Sequence, residues 1–400
     1  MIHIEFLKEA SVAETKMTPR PKIVEDPHLD MKLRIKRELE GEKQDKRKYS
    51  GLLPSEIGTD YTFKREIVWK NAVGFLMLHL AALYGFYLLT TQCYWLTCLW
   101  TFIVAFGSGL GVTTGAHRLF SHRSYKAPFI TRLVLILFHT LAGQNCLYIW
   151  VRDHRQHHKY SDTDADPHNA NRGFFFSHIG WLMSRKHPAV IEKGRTIDMS
   201  DMDADRLVMF QKNHYKILYT IFAILLPSLV PYYCWGEKFF NAVFSAYMFR
   251  SVLVLNITWL VNSAAHLWGN KPFDRFMKPV ESRFVAFWSV GEGWHNYHHA
   301  FPWDYRAAEF GSRYSITTFV IDLLAHWGLA YDLKTTPYHM IQKRVLRTGD
   351  GSHAIHQKAN ATAKQDPTKE SEEKKDIYNY LDPDLAVRYM TSQGDDMYSR

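Results

Sequence analysis

The sequence predicts an all-α integral membrane protein: four transmembrane helices in two hairpins, with a His-rich cytosolic helical cap. Three observations predict it. Four apolar runs each reach about 20 residues, the length a helix needs to cross a bilayer core. Lys and Arg concentrate in the segments on one side of those runs and are nearly missing from the short links on the other. Three imidazoles fall within five positions twice, as "HRQHH" at 154–158 and "HNYHH" at 295–299.

The 400-residue chain carries a formal charge of +9 and 15% aromatic residues. Its mean hydropathy of −0.26 averages long polar ends with a very apolar middle. No basic patch interleaved with aromatics and no nucleic-acid fold signature occurs, so the positive charge reads as cytoplasmic Lys and Arg rather than as a nucleic-acid surface. The four cysteines, Cys93, Cys98, Cys146 and Cys234, lie in or beside apolar stretches without a metal-type CxxC, which predicts free thiols and a reducing compartment. The N-terminus "MIHIEFLKEA" has no apolar run suited to a cleavable signal, so insertion is expected to use an internal span.

Residues 1–66 form a polar arm that includes "KRELEGEKQDKRK". The domain that follows, 67–353, holds spans at about 71–91, 95–115, 215–235 and 239–263. The links Gln92–Tyr94 and "GEK" contain almost no Lys or Arg, whereas 1–70, 116–214 and 264–400 are rich in them. Both termini and the large middle loop are therefore expected in the cytoplasm. The apolar stretch 129–150 is interrupted by Arg132, His139, Gln144 and Asn145. A fifth span there would put the two His clusters on opposite faces, so it reads as an interfacial or buried helix. Arg250 interrupts the fourth span, which predicts that this helix leaves the bilayer early. Residues 354–400 have the composition of a disordered tail. The sequons at Asn256 and Asn360 lie inside a span and in that tail, and neither is expected to be glycosylated.

On a helix, positions i, i+3 and i+4 share one face, so His154, His157 and His158 project together, as do His295, His298 and His299. His117 and His122, five apart in "HRLFSH", do not share a face of a regular helix and fit a span end where the helix stops or turns. His266 follows the fourth span at the same level. Imidazoles crowded on one face repel when protonated and go unsatisfied when buried neutral, unless a metal accepts their lone pairs. These nine are too many for one tetrahedral zinc, and between two ions they give four or five each. Imidazole alone does not choose among Zn, Cu, Fe and Ni, and zinc hydrolysis or metal transport stays open at this point.

The runs "GAHRLFSHRSYKA" (115–127), "RDHRQHHKYSDTDADPHNANRGFFFSHIGWL" (152–182), "NITWLVNSAAHLWG" (256–269) and "GEGWHNYHHAFPWDY" (291–305) resemble the membrane fatty acyl-CoA desaturases, in particular the stearoyl-CoA Δ9 type and its insect members. The resemblance extends from about residue 60 to residue 353. It implies two non-haem iron ions (Fe2+), O2 as co-substrate, a saturated long-chain acyl-CoA, and electrons from cytochrome b5 and its reductase as separate proteins, in the endoplasmic reticulum membrane. Carried over by motif, the iron ligands are His117, His122, His154, His157, His158, His266, His295, His298 and His299, with Asn262 reaching an iron through water. The implied acyl-CoA contacts are Asn71, Asn145, Arg152, Asp153, Arg185, Lys186 and Trp259. Arg152, Arg185 and Lys186 suit CoA phosphates. Trp259 and Asn262, three apart on one helix face, are expected to line an acyl tunnel whose end lies on the first two spans near Leu99–Gly107.

Two departures stand out. Ile149 occupies a position usually acidic in the family, and no haem-binding "HPGG" occurs, so the donor must be separate. A desaturase of other regiospecificity (such as Δ11) or a lipid hydroxylase would use the same His motifs. A metal transporter would need ligands within the spans, whereas these histidines gather at one side.

Overall fold

The computed structural model describes Tyr49 and residues 52–357. Most of the predicted arm 1–66, nearly all of the predicted tail 354–400 and the Asn360 sequon lie outside the described residues. Among the described residues the regular elements are helices, and extended segments meet only at isolated bridges such as Ile67 with Ser184.

Four helices are long and apolar enough to cross a membrane: α1 (Trp69–Thr91), α2 (Trp95–Ser121), α5 (Tyr215–Trp235) and α6 (Phe239–Leu267). Between α2 and α5 lie α3 (Phe129–Ala142) and α4 (Leu147–Tyr160), bent by 85° at the break. Only 22% of the apolar window of α1 is buried, and Leu76, Leu80 and Leu83 face outward. Such faces are stable against lipid, where apolar surface needs no protein cover. The bundle closes where side chains vanish. A Cβ at Gly85 would stand 2.0 Å from the Phe244 carbonyl oxygen, so α1 and α6 touch backbone to backbone.

At the end away from the histidines one carboxylate joins both hairpin links. Buried Glu237 accepts from the Tyr94 N–H (2.9 Å), Thr97 Oγ1 (2.7 Å) and Asn241 Nδ2 (3.1 Å). It thereby satisfies an amide at the start of α2 and ties that start to α6.

The break between α3 and α4 gives the interrupted stretch 129–150 its shape. Gly143 ends α3 in the left-handed region at φ 71°, and α4 turns away from it. The stretch thus packs against α2 as a bent pair. Gly111 makes this possible, since a Cβ there would lie 2.2 Å from the His139 amide nitrogen.

Arg250 sits within the fourth long helix. The helix around it continues to Leu267, and its guanidinium is fully buried inside the bundle. It donates to the carbonyls of Leu141 (2.6 Å), Ala223 (2.9 Å) and Ala246 (3.3 Å), and Nη1 also approaches Ser108 Oγ at 3.4 Å. A span tolerates this charge because backbone carbonyls of α3, α5 and its own helix surround it.

A cap covers the histidine end. Short helices from Phe174 to Asn213 lead into α5, and after α6 come α7 (Arg283–Trp288), α8 (His295–Ala300), α9 (Ile316–His326) and α10 (Tyr338–Thr348). Buried Arg118, near the end of α2, locks the cap down. It donates to Glu292 (2.6 Å), to the carbonyls of Tyr305 (2.9 Å) and Arg306 (3.0 Å), and to Thr318 Oγ1 (2.9 Å).

Candidate metal centre

α2 ends at Ser121, as the His117 and His122 spacing suggested, but its last turns are not regular α-helix. Gly111–Ser121 is π-helical, and the His122 N–H donates to the His117 carbonyl at 3.2 Å. An i→i+5 ladder sets residues five apart one above the other. The rings of His117 and His122 therefore meet, with centroids 4.9 Å apart. The five-residue spacing that looked incompatible with one face is the one this winding requires.

The nine histidines divide into two groups. His117, His122, His154, His158 and His298 bring one ring nitrogen each within 4.8 Å of one another, and so do His157, His266, His295 and His299. Each group thus draws on several elements. α4 sends His154 and His158 to one group and His157 to the other, and α8 divides His298 from His295 and His299 in the same way.

Carboxylates set the tautomers. His117 donates through Nδ1 to Glu292 at 2.7 Å, His157 through Nδ1 to Asp166 at 2.8 Å, and His266 through Nδ1 to Asp162 at 3.0 Å. Each Nε2 then carries a lone pair, and those lone pairs point inward. Across the first group His117 Nε2 lies 3.0 Å from His298 Nε2, and His122 Nε2 lies 2.8 Å from His154 Nε2. Across the second, His266 Nε2 lies 3.1 Å from His295 Nε2. The Nε2 of His157 is buried without a protein partner.

Lone pairs meeting lone pairs in a buried site cost free energy unless a cation lies between them. Metal–imidazole bonds of about 2.0–2.1 Å set neighbouring nitrogens roughly 3 Å apart, so the donors present fit two ions. Burial, and after it the charge of neighbouring rings, holds His295, His298 and His299 well below the ordinary imidazole value, which keeps them neutral and able to ligate.

The partners Glu292, Asp162 and Asp166 received no role from the sequence reading. Their signal was visible: an alternating Asp run in "SDTDADPH" after one His triad, and a Glu three residues before the other. Burial opposes ionisation of Glu292, but Arg118 and then His117 outweigh it and lower its carboxyl to about 2. His168, undecided from sequence, packs its ring 4.6 Å from that of His157 and faces Asp166.

The residues expected to hold acyl-CoA separate. Asp153 accepts from Arg152 at 2.8 Å and from Lys186 at 3.0 Å, so these three form one cluster. Asn71 donates to the Leu182 carbonyl at 3.0 Å, close in sequence to Lys186. The Asn145 side chain accepts from the Cys146 N–H at the start of α4. Arg185 points elsewhere, to a surface pairing with Glu66 in which both side chains are more than 70% exposed. Such a pair contributes little.

A cavity of about 1410 Å³ runs beside both histidine groups, touching His117, His154, His157 and His295. Its apolar wall comes from α2 (Phe102, Ala105, Phe106, Gly109 and Val112) and α6 (Val254, Ile257, Thr258 and Val261, with Asn262 near the histidines). The expected contribution of the first span is not found in this wall. Trp259 does not line it either. On α6 the cavity-facing positions repeat as i, i+3, i+4 and i+7, which turns Trp259 to the other side, where it packs against Phe75 of α1 and the ring of His178. Near the centre, Gln144 donates to Thr258 Oγ1 at 2.7 Å and accepts from Trp150 Nε1 at 3.3 Å. The Trp150 ring stacks on His154 at 5.1 Å. Ile149 is buried against Cys146 and Tyr215 in an apolar cluster. All four cysteines are free.

Comparison with known proteins agrees with this geometry. Residues 93–309 match the family described as fatty acid desaturase. The chain is 57% identical to an acyl-CoA Delta-9 desaturase of Acheta domesticus over 73% of its own length and 82% of that protein. It is 54% identical to an acyl-CoA Delta12-desaturase of the same species, over 73% and 82%. It is also 54% identical to the stearoyl-CoA desaturase of Homo sapiens, over 72% of this chain and 80% of that one. Four membrane-spanning helices, two converging histidine groups and these similarities lead to one conclusion: the chain belongs to the fatty acid desaturase family and is an oxidoreductase.

Proposed function

We propose that this protein is an acyl-CoA desaturase that places a cis double bond at Δ9 of a saturated long-chain acyl-CoA. Per turnover, –CH2–CH2– with O2, two electrons and two protons gives –CH=CH– and two waters. Cytochrome b5, recharged by its reductase, delivers the electrons as a separate protein. The enzyme works in the endoplasmic reticulum membrane with both termini in the cytosol. Residues 67–353 form its catalytic domain, between the arm 1–66 and the tail 354–400. The observation that carries the reading is the division of nine imidazoles into a five and a four beside one long apolar cavity.

Two non-haem irons held by those nine histidines, with Asn262 acting through water, would supply dioxygen activation and hydrogen removal from an unactivated methylene. The chain does the positioning. Arg152 and Lys186 present cations to the CoA phosphates and Asp153 orients them; Asn71 and Asn145 complete the proposed acyl-CoA contacts, to which the family resemblance adds Arg185 and Trp259. The walls of α2 and α6 align the acyl tail, and alignment selects which carbon pair reacts. The Gln144–Thr258–Trp150 network fixes the wall next to His154. Burial of the histidines keeps bulk water from the oxidant.

The Delta12 name of a relative at 54% identity makes regiochemistry the point to measure. Expression in yeast lacking its own desaturase, followed by fatty-acid profiling, tests the reading. Δ9 products from saturated chains are expected. Double bonds at another carbon would reassign the regiochemistry, and an added oxygen in place of lost hydrogens would replace desaturation with hydroxylation.

A further inference from the structure

The reaction cavity does not end at the histidines. Past His117 and His295 it continues beneath the cap to Phe287, Trp288, Tyr314 and Ile316. Its volume of about 1410 Å³ exceeds the roughly 300–1,000 Å³ of an ordinary small-molecule site. None of Arg152, Asp153, Lys186 and Asn145, the residues proposed for the CoA headgroup, lines this cavity.

The far arm opens among exposed aromatics. Phe287 is 75% exposed and Trp288 48%, next to exposed Phe284, Phe310 and Tyr314. On α7 the buried residue Val285 packs against Ala264 and Ala265, with Leu260 and Val261 alongside. That contact fixes its level: α7 lies against the last turns of α6, at the membrane end that carries His266. Aromatic rings with neighbouring Arg283 and Arg313 at that depth have the composition of an interface between lipid and water.

We propose that this arm is a side mouth opening onto the bilayer leaflet at the histidine end, through which the long-chain acyl tail passes between lipid and the reaction cavity. The tail then enters or leaves sideways, over Phe287 and Trp288, while its CoA headgroup stays at the cation cluster. A tail threaded from the headgroup end alone would need no apolar exit at the membrane surface. An apolar chain crossing this rim is never transferred through water, which would cost about 0.8 kcal/mol per CH2. The proposal deepens the desaturase reading and rests on it.

The full chain, loaded with iron and reconstituted in phosphatidylcholine vesicles, tests it with p-benzoylphenylalanine in place of Phe287 or, as a control, of exposed Phe240 near the opposite end of α6. Radiolabelled stearoyl-CoA is added, the sample is irradiated, and product is assayed in parallel. Label at 287 but not at 240, competed away by unlabelled stearoyl-CoA, supports the mouth. Competed label at 287 without product would refute desaturation and leave the mouth standing. Product with no preference for 287 over 240 would overturn the mouth and leave desaturation standing. Phe287→Arg and Trp288→Arg, which put a charge in an apolar path, are expected to slow steady-state turnover about tenfold with bound iron unchanged. An unchanged rate in both overturns the proposal.

Discussion

Glu292 lies 2.7 Å from Nδ1 of His117, although the two residues stand on opposite sides of the membrane-spanning core in sequence. The same carboxylate takes Arg118 at 2.6 Å. One buried acid therefore fixes a proposed ligand's tautomer and neutralises the cation that locks the cap.

Glu292→Gln should harm both metal loading and stability. The carboxyl is held at about 2, so its stabilising charge is present above the ordinary carboxylate range near 4.3 and is lost as pH falls through about 2. The substitution leaves Arg118 buried without a counter-charge, a loss of about 3–5 kcal/mol. Metal affinity should fall about 10–100-fold, as for other ligand-orienting partners. Metal analysis and thermal unfolding in detergent check this, and wild-type values in both would contradict it.

His157→Ala and His298→Ala remove one donor from each group. Each is expected to abolish unsaturated product and to lower bound iron from about two per chain towards one, with the protein still present. Iron content and product analysis on purified variants provide the check. Activity retained in both would remove the centre from the reaction.

Acid should empty the site. His295, His298 and His299 are held below the ordinary imidazole value near 6.5, so the unfolded chain binds more protons than the folded one as pH drops through that value. Stability of the metal-free protein is thus full above about pH 6.5 and declines progressively below it. Unfolding midpoints of chelator-treated protein between pH 7.5 and 5 should fall with pH, and flat midpoints would count against this account.

Gly109→Leu should shorten the acyl chains accepted. Gly109 is on the cavity wall, and a Cβ there meets nothing within 4 Å, so the new side chain grows into open space rather than into the fold. Products should shift to chains shorter by a few methylenes, each worth about 0.8 kcal/mol of burial. Fatty-acid profiles of wild type and variant, expressed at equal levels, decide it.

Arg250→Met keeps the stem but removes the donors. The Leu141 and Ala223 carbonyls would then lose a buried donor, at about 1–3 kcal/mol each. A lower unfolding temperature is expected even for metal-free protein, because the role is structural. A variant that lost only turnover would show that Arg250 acts on the site instead.

Much of this was legible in the chain. A run of apolar residues about as long as a bilayer is thick has one economical fate, so four spans could be read directly. The triads His154/157/158 and His295/298/299 could be read as shared faces because helical period is a local property. The pairing of His117 with His122 could not, since local propensity does not announce a π-helical segment, and packing against α3 through Gly111 is a tertiary fact. Which side of α6 Trp259 and Asn262 each face was not legible either, since the packing of α6 against α1 decides it.

By itself, the sequence determined the fold class, the membrane segments and the set of nine histidines, because length, hydropathy and helical period are written residue by residue. Tertiary structure alone decided which imidazole joins which group, that Glu292, Asp162 and Asp166 orient three of them, and where the cavity runs. The reason is physical: contacts such as His117 with Glu292 and His266 with Asp162 join segments more than a hundred residues apart, and only packing brings them within hydrogen-bond reach.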